Sequence, residues 1–135
     1  MTNQLSASPK MNRILWALQL LIAAFFITGA VLKFQPIEKI TPMMPWAGQV
    51  PAYIVRLLGV IDFAGAAGLI LPALLRIKPI LTPWAAVGAA ALMGCAIIFH
   101  LSRGEANVIG VNIIFLFLAV FVAWGRFKKV PISLR

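Results

Sequence analysis

Few side chains in this 135-residue chain can do acid–base or charge chemistry, and they are unevenly placed. There are three acids (Glu38, Asp62 and Glu105), one histidine (His100) and one cysteine (Cys95). Asp62 carries the most information, because it lies inside a long apolar run. A carboxylate at the centre of a membrane-spanning helix costs about 2.5 to 3.5 kcal/mol to insert, and somewhat less at a shallower depth. It must therefore face protein, water or a cation. Asp62, Gly65, Ala66 and Leu69 fall at i, i+3, i+4 and i+7, so the acid shares a helix face with small residues that let another helix come close. That face is expected to point inward.

Arg56 lies six positions before Asp62, about 120° around the helix. A partner on another helix is therefore expected. Lys33 at the end of the first apolar run and His100 or Arg103 at the end of the third reach a similar membrane level. Asn112, about a turn inside the fourth, can donate a hydrogen bond. The expected polar cluster is Lys33, Arg56, Asp62, His100, Arg103, Glu105 and Asn112. Its competing reading is an ion-pair network that fixes helix register, with several members merely reaching for the interface. Arg103 and Glu105 flank Gly104 in a tight turn, where a surface pair is the simplest reading.

Other chemistries find little material. One His, one Cys and three acids do not assemble the ligand sets that metals prefer, so no dedicated metal centre is expected. His100, Cys95, Tyr53 and the methionines are the available axial haem ligands, and no CxxCH motif is present. Cys95 and His100 stand about 140° apart on a helix, which disfavours a nucleophile pair. Cys95 reads as a small packing residue, and a single cysteine excludes an intramolecular disulfide.

The elements that must position these groups belong in lipid. The chain is 62% hydrophobic and 11% charged, with a mean hydropathy of +0.99. Soluble domains have about 45 to 50% apolar and about 25% charged residues. Intrinsic disorder is excluded by the same apolar content. Four runs, at about 14–32, 54–74, 80–100 and 107–125, approach the ~20 residues that a spanning helix requires. The first outlasts a signal-peptide core and is followed by three more, so it is read as a span. The expected fold is all-α, one four-helix transmembrane domain over residues 1–135.

The net charge of +9 would suggest nucleic acid in a soluble protein, but here the cations sit between apolar runs. They read as topology signals and anionic-lipid contacts, with no nucleic-acid partner. The termini and the middle loop carry Lys10, Arg13, Arg76, Lys78, Arg126, Lys128, Lys129 and Arg135, against Lys33, Lys39, Arg56 and Arg103 on the opposite side. This bias places both termini in the cytoplasm.

The segment from Pro72 to Pro83 should join the second and third spans as an antiparallel hairpin. The longer loop, about 34–53, has four prolines that deny it a continuous helix. It is expected in the headgroup region, with Trp46 and Tyr53 as anchors, acting either as a connector or as a lid. The small-residue third span, rich in Ala and Gly from Ala85 to Ala96, is expected to sit centrally. Trp16, Phe25 and Phe26 of the first span, with Phe115, Phe117, Phe121 and Trp124 of the fourth, face lipid or wall a flat apolar ligand.

Together these landmarks resemble the DoxX-like family of small four-helix membrane proteins over nearly the whole chain. The resemblance rests on Gly29 followed by Lys33-Phe34, on Pro45-Trp46, and on Arg56, Gly59, Asp62, Gly65-Ala66, Gly68-Leu69 and Leu71-Pro72. It continues through Leu81-Thr82-Pro83, His100-Leu101, Arg103-Gly104-Glu105, Asn112 and Gly125-Arg126. Many relatives carry Glu where this chain has Asp62, a shorter acid with the same charge. The resemblance implies an inner-membrane protein acting as an accessory or quinone-interacting subunit of a redox-linked complex. The alternative is a chaperone-like protein that binds partner helices, with a membrane-protein partner or as a homo-oligomer. A small-solute or proton-coupled carrier is the third reading. Related quinone reductases use paired cysteines, which this chain lacks, so independent dithiol chemistry is excluded.

Overall fold

Residues that cannot continue a helix set the ends of each apolar run. The computed structural model describes residues 8–134; Arg135, counted above among the basic flanks, lies outside them. Helix α1 spans Pro9–Leu32. The Ser8 side chain accepts from the Met11 amide at 3.1 Å, and Pro9 occupies a first-turn position where its missing N–H is no loss. In the proline-rich loop only a four-residue helix α2, Ile37–Ile40, and a 3-10 turn, Pro45–Gly48, can form. Helix α3 spans Ala52–Leu75 and α4 spans Leu81–Ser102. Helix α5, Gly110–Trp124, continues into a π turn, Gly125–Lys129.

The four long helices lie within a few residues of the expected runs and are long and apolar enough to cross a membrane. Twenty-four residues of α1 reach about 36 Å, beyond the ~30 Å of hydrocarbon. No strand forms among the described residues. The helices pack as a ring: α1 on α3, α3 on α4, α4 on α5, and α5 back on α1. Leu15, Ile22, Phe26, Leu69, Met93 and Val122 fill the core.

The α3–α4 hairpin shows how local chemistry positions the ring. Pro72 lies inside α3 and has no N–H, so the carbonyl of Gly68 loses its usual helical donor. The Thr82 hydroxyl of α4 donates to that carbonyl at 3.2 Å. A Cβ on Gly68 would stand 2.8 Å from the Ala85 Cβ, so only glycine permits the two helices to meet this closely. The chain then turns through Arg76 and Lys78, both with left-handed backbone (φ +57° and +48°). Arg76 donates to the Ser133 carbonyl at 3.0 Å and to its hydroxyl at 2.8 Å, tying the turn to the C-terminal segment.

Two expectations need correction. The third span, α4, is not central. A ring of four has no middle position, and α4 packs on one side only. Trp84, Val87, Gly88, Ala91 and Ile98 form an open strip on the other side, with nothing within 4 Å of where a Cβ on Gly88 or Gly94 would stand. Small side chains permit close approach without dictating on how many sides. Nor does Trp46 serve only as an interfacial anchor. Ile40 and Ala47 bury against Val55 of α3, drawing the loop inward, and the Trp46 ring meets Phe99 edge-on at 6.0 Å. Tyr53 remains 70% exposed.

Candidate functional site

The site forms where α1 ends beside α3. Lys33 follows the last residue of α1, and its Nζ donates to Asp62 Oδ2 at 2.7 Å. Asp62 is 5% exposed, so the pair is held out of water and its attraction is weakly screened. Two glycines make the meeting possible. A Cβ on Gly29 would lie 3.2 Å from both the Lys33 Nζ and the Asp62 Oδ2, and one on Gly59 would lie 2.8 Å from the Phe34 ring. Arg56 does not bend toward Asp62. Its Nη1 donates to the carbonyls of Lys33 and Gln35, at 2.7 Å each, satisfying backbone acceptors that the end of α1 leaves open. Arg56 thus anchors the backbone of Lys33 while the Lys33 side chain turns to Asp62.

A second polar group closes the end of α4. The His100 Nδ1 and Glu105 Oε1 are 2.7 Å apart, and Arg103 Nη2 approaches Glu105 Oε2 at 3.2 Å. Gly104, with φ +73°, makes the turn that brings them together. An ionised carboxylate can only accept, so the His100 Nδ1 carries the proton and Nε2 is left for another partner. The hydrogen bond from Arg103, followed by that from His100, holds the Glu105 carboxyl below the usual carboxylate range. Arg103 also donates to the Gln49 side chain of the long loop, and its guanidinium lies 5.3 Å from the Phe99 ring centroid.

A cavity of about 570 Å³ joins these groups. Lys33, Asp62, His100 and Asn112, with Thr28, supply its polar wall, while Phe25, Phe26, Trp46, Phe99, Leu92 and Met93 supply part of the apolar one. Phe25 is stacked on Phe115 at 4.0 Å with the rings 11° apart, which fixes one flat wall. Met44 and Val50 of the loop also line the cavity, so the loop roofs it. Of the seven expected cluster residues, four reach the cavity. Arg56, Arg103 and Glu105 do not, and instead hold the ones that do. Cys95 departs from its expected packing role: it is exposed and lines the same cavity. No set of three His, Cys, Asp or Glu side chains converges on a point that could hold a metal among the described residues.

One buried polar group was not anticipated. Gln19, fully buried in α1, donates to the Leu69 carbonyl at 2.7 Å and accepts from Arg126 Nε at 2.7 Å. In the sequence Arg126 reads as a topology signal and as part of the Gly125-Arg126 motif, with no buried partner expected for it. The signal for this contact was Gln19 itself, an amide in an apolar run that had to find a partner just as Asp62 did.

Four apolar helices closed around a partly polar cavity define a multi-pass membrane bundle in contact with the lipid bilayer. Residues 17–122 match the family model described as the DoxX-like family, and the chain belongs to that family. Comparisons with curated proteins and with solved structures gave no match.

Proposed function

We propose that this protein is an inner-membrane accessory subunit of a redox-linked complex whose cavity binds a flat apolar ligand with a hydrogen-bonding head, a quinone foremost. The observation that carries this reading is the Lys33–Asp62 pair set in the wall of an aromatic-lined cavity of about 570 Å³. Quinone carbonyls accept hydrogen bonds. Lys33 has three N–H donors and spends one on Asp62, and Asn112 supplies an amide donor. Asp62 is placed to accept from a reduced head group and to exchange a proton with it. The flat walls of Phe25 and Trp46 suit an unsaturated ring. Buried polar residues in spanning helices mark ligand and proton sites more often than their number would suggest.

The test is purification in mild detergent, followed by extraction and mass and absorbance spectra of what is retained. A quinone retained by the wild-type protein and lost from Asp62→Asn is the expected result; equal retention by both contradicts the role of Asp62. The excess of basic residues at the end bearing Lys10, Arg76 and Lys129 supports a cytoplasmic location for both chain ends, checked by the accessibility of terminal tags in inside-out vesicles. A second reading, a protein that binds partner helices, is favoured by the open strip of Gly88 and Ala91 on α4, with the exposed Cys95 between that strip and the cavity. It predicts a crosslinked membrane-protein partner, or a second copy, through Cys95. Crosslinking that recovers only lipid argues against it.

A further inference from the structure

We propose that the end of the bundle opposite the quinone-type cavity holds a second binding site, for a phosphate-type anion, centred on Arg126. Arg126 lies in the π turn and is only 2% exposed. Its Nε donates to Gln19 Oε1 at 2.7 Å, and its Nη1 donates to Asn12 Oδ1 at 2.8 Å and to the Val130 carbonyl at 3.0 Å. Its Nη2 is buried and has no acceptor among the described residues. Every one of these partners is neutral. The chain's three side-chain carboxylates, Glu38, Asp62 and Glu105, all belong to the other end. The guanidinium also lies 5.7 Å from the Trp16 ring centroid, but neither that ring nor these dipoles carry a full negative charge, an arrangement that invites an anion.

The surroundings fit that anion. A cavity of about 520 Å³ is lined by Arg126 and Arg76, by the hydroxyl-bearing Ser8 and Ser133, and by Asn12. It opens at the N-terminal end of α1, where the helix dipole favours negative charge. The forked N–H donors of guanidinium match phosphate oxygens in pairs, which a point charge does not do. Trp16, Leu74 and Ile132 line the same cavity, giving a surface for hydrocarbon attached to the anion. A phospholipid phosphodiester and free phosphate share this chemistry.

The experiment uses the full chain, delipidated in detergent and titrated in a native mass spectrometer with dioleoylphosphatidylglycerol and with dioleoylphosphatidylcholine. A parallel arm follows the Tm with added inorganic phosphate. The expected result is at least a tenfold preference for the anionic lipid, abolished in Arg126→Gln and weakened severalfold in Arg76→Gln. If inorganic phosphate raises the Tm and displaces the lipid, the site stands and its natural occupant is a free anion. Equal retention of the two lipids with no Tm response to phosphate overturns the proposal. Should Arg126→Gln fail to fold, Arg76→Gln at the exposed mouth carries the test alone, and an undiminished lipid preference there overturns it.

Discussion

At the loop end of the bundle, Lys33 and Asp62 meet at 2.7 Å in a cavity wall, whereas at the other end Arg126 is buried more deeply and meets amide and carbonyl oxygens and the Trp16 ring, but no carboxylate. The first arrangement cancels its charge internally and leaves spare donors facing a void. The second leaves its charge intact and surrounds it with dipoles. The difference separates two uses of a buried ion in lipid. A closed pair can present hydrogen bonds to a neutral, apolar molecule without drawing in anions. An unmatched guanidinium does the opposite. Helix packing supports both in the same manner, with glycine making room: Gly29 and Gly59 beside Lys33, and Gly125 against Leu15 beside Arg126.

The largest expected effect comes from breaking the closed pair. Lys33→Met leaves Asp62 buried without its cation and is expected to cost about 3 to 5 kcal/mol. Adding Asp62→Leu should return most of that loss, because an apolar pair of similar volume is often neutral or stabilising. Denaturant titration in mixed micelles measures both, and a double variant as unstable as the single one would show that the pair does not act as a unit. Next comes Gln19→Ala, which takes an acceptor from Arg126 and a donor from the Leu69 carbonyl. About 1 to 3 kcal/mol is expected, since buried polar groups are left unmatched. If the loss is negligible, Arg126 has found another acceptor and the contrast between the two ends weakens. Thr82→Val should cost about 0.6 kcal/mol, the usual scale of one interhelical hydrogen bond in lipid. It tests whether the carbonyl freed by Pro72 needs its partner.

The smallest effect is that of pH on the turn after α4. Glu105 is held below the usual carboxylate range by Arg103 and then His100. A lowered folded-state value means that this contribution is complete above the unfolded carboxylate range and is lost as the pH falls through the folded value. Protection of the amides around Gly104, taken relative to their intrinsic exchange rates, should therefore fall only in acid. In Glu105→Gln that protection should be nearly independent of pH; a loss of protection with increasing pH would reverse the assigned sign.

Much of this was legible in the residues. Four apolar runs gave four helices, because lipid forces the backbone to satisfy itself within each run. Asp62 had to find company, and Lys33 stood with His100 and Arg103 as a candidate at its membrane level; which of them meets it depends on how the helices pack. Arg56 was harder to read, since its role depends on where the carbonyls at the end of α1 point. The His100–Glu105 contact depends on the left-handed Gly104, which spacing alone does not reveal. Arg126 was hidden by its position at a span's edge, where a basic residue already has a sufficient explanation in topology. The outward strip on α4 escaped because composition records which side chains are small and says nothing of which side meets a neighbour.

The most direct measurement is photolabelling with an azido-quinone in reconstituted membranes, mapped by peptide sequencing. Labelling of residues lining the cavity, such as Met44, Trp46 or Phe99, suppressed by excess unlabelled quinone and by Lys33→Met, is the predicted result. Labelling confined to outward residues such as Phe117 or Ile114, with no effect of competitor or substitution, would contradict it.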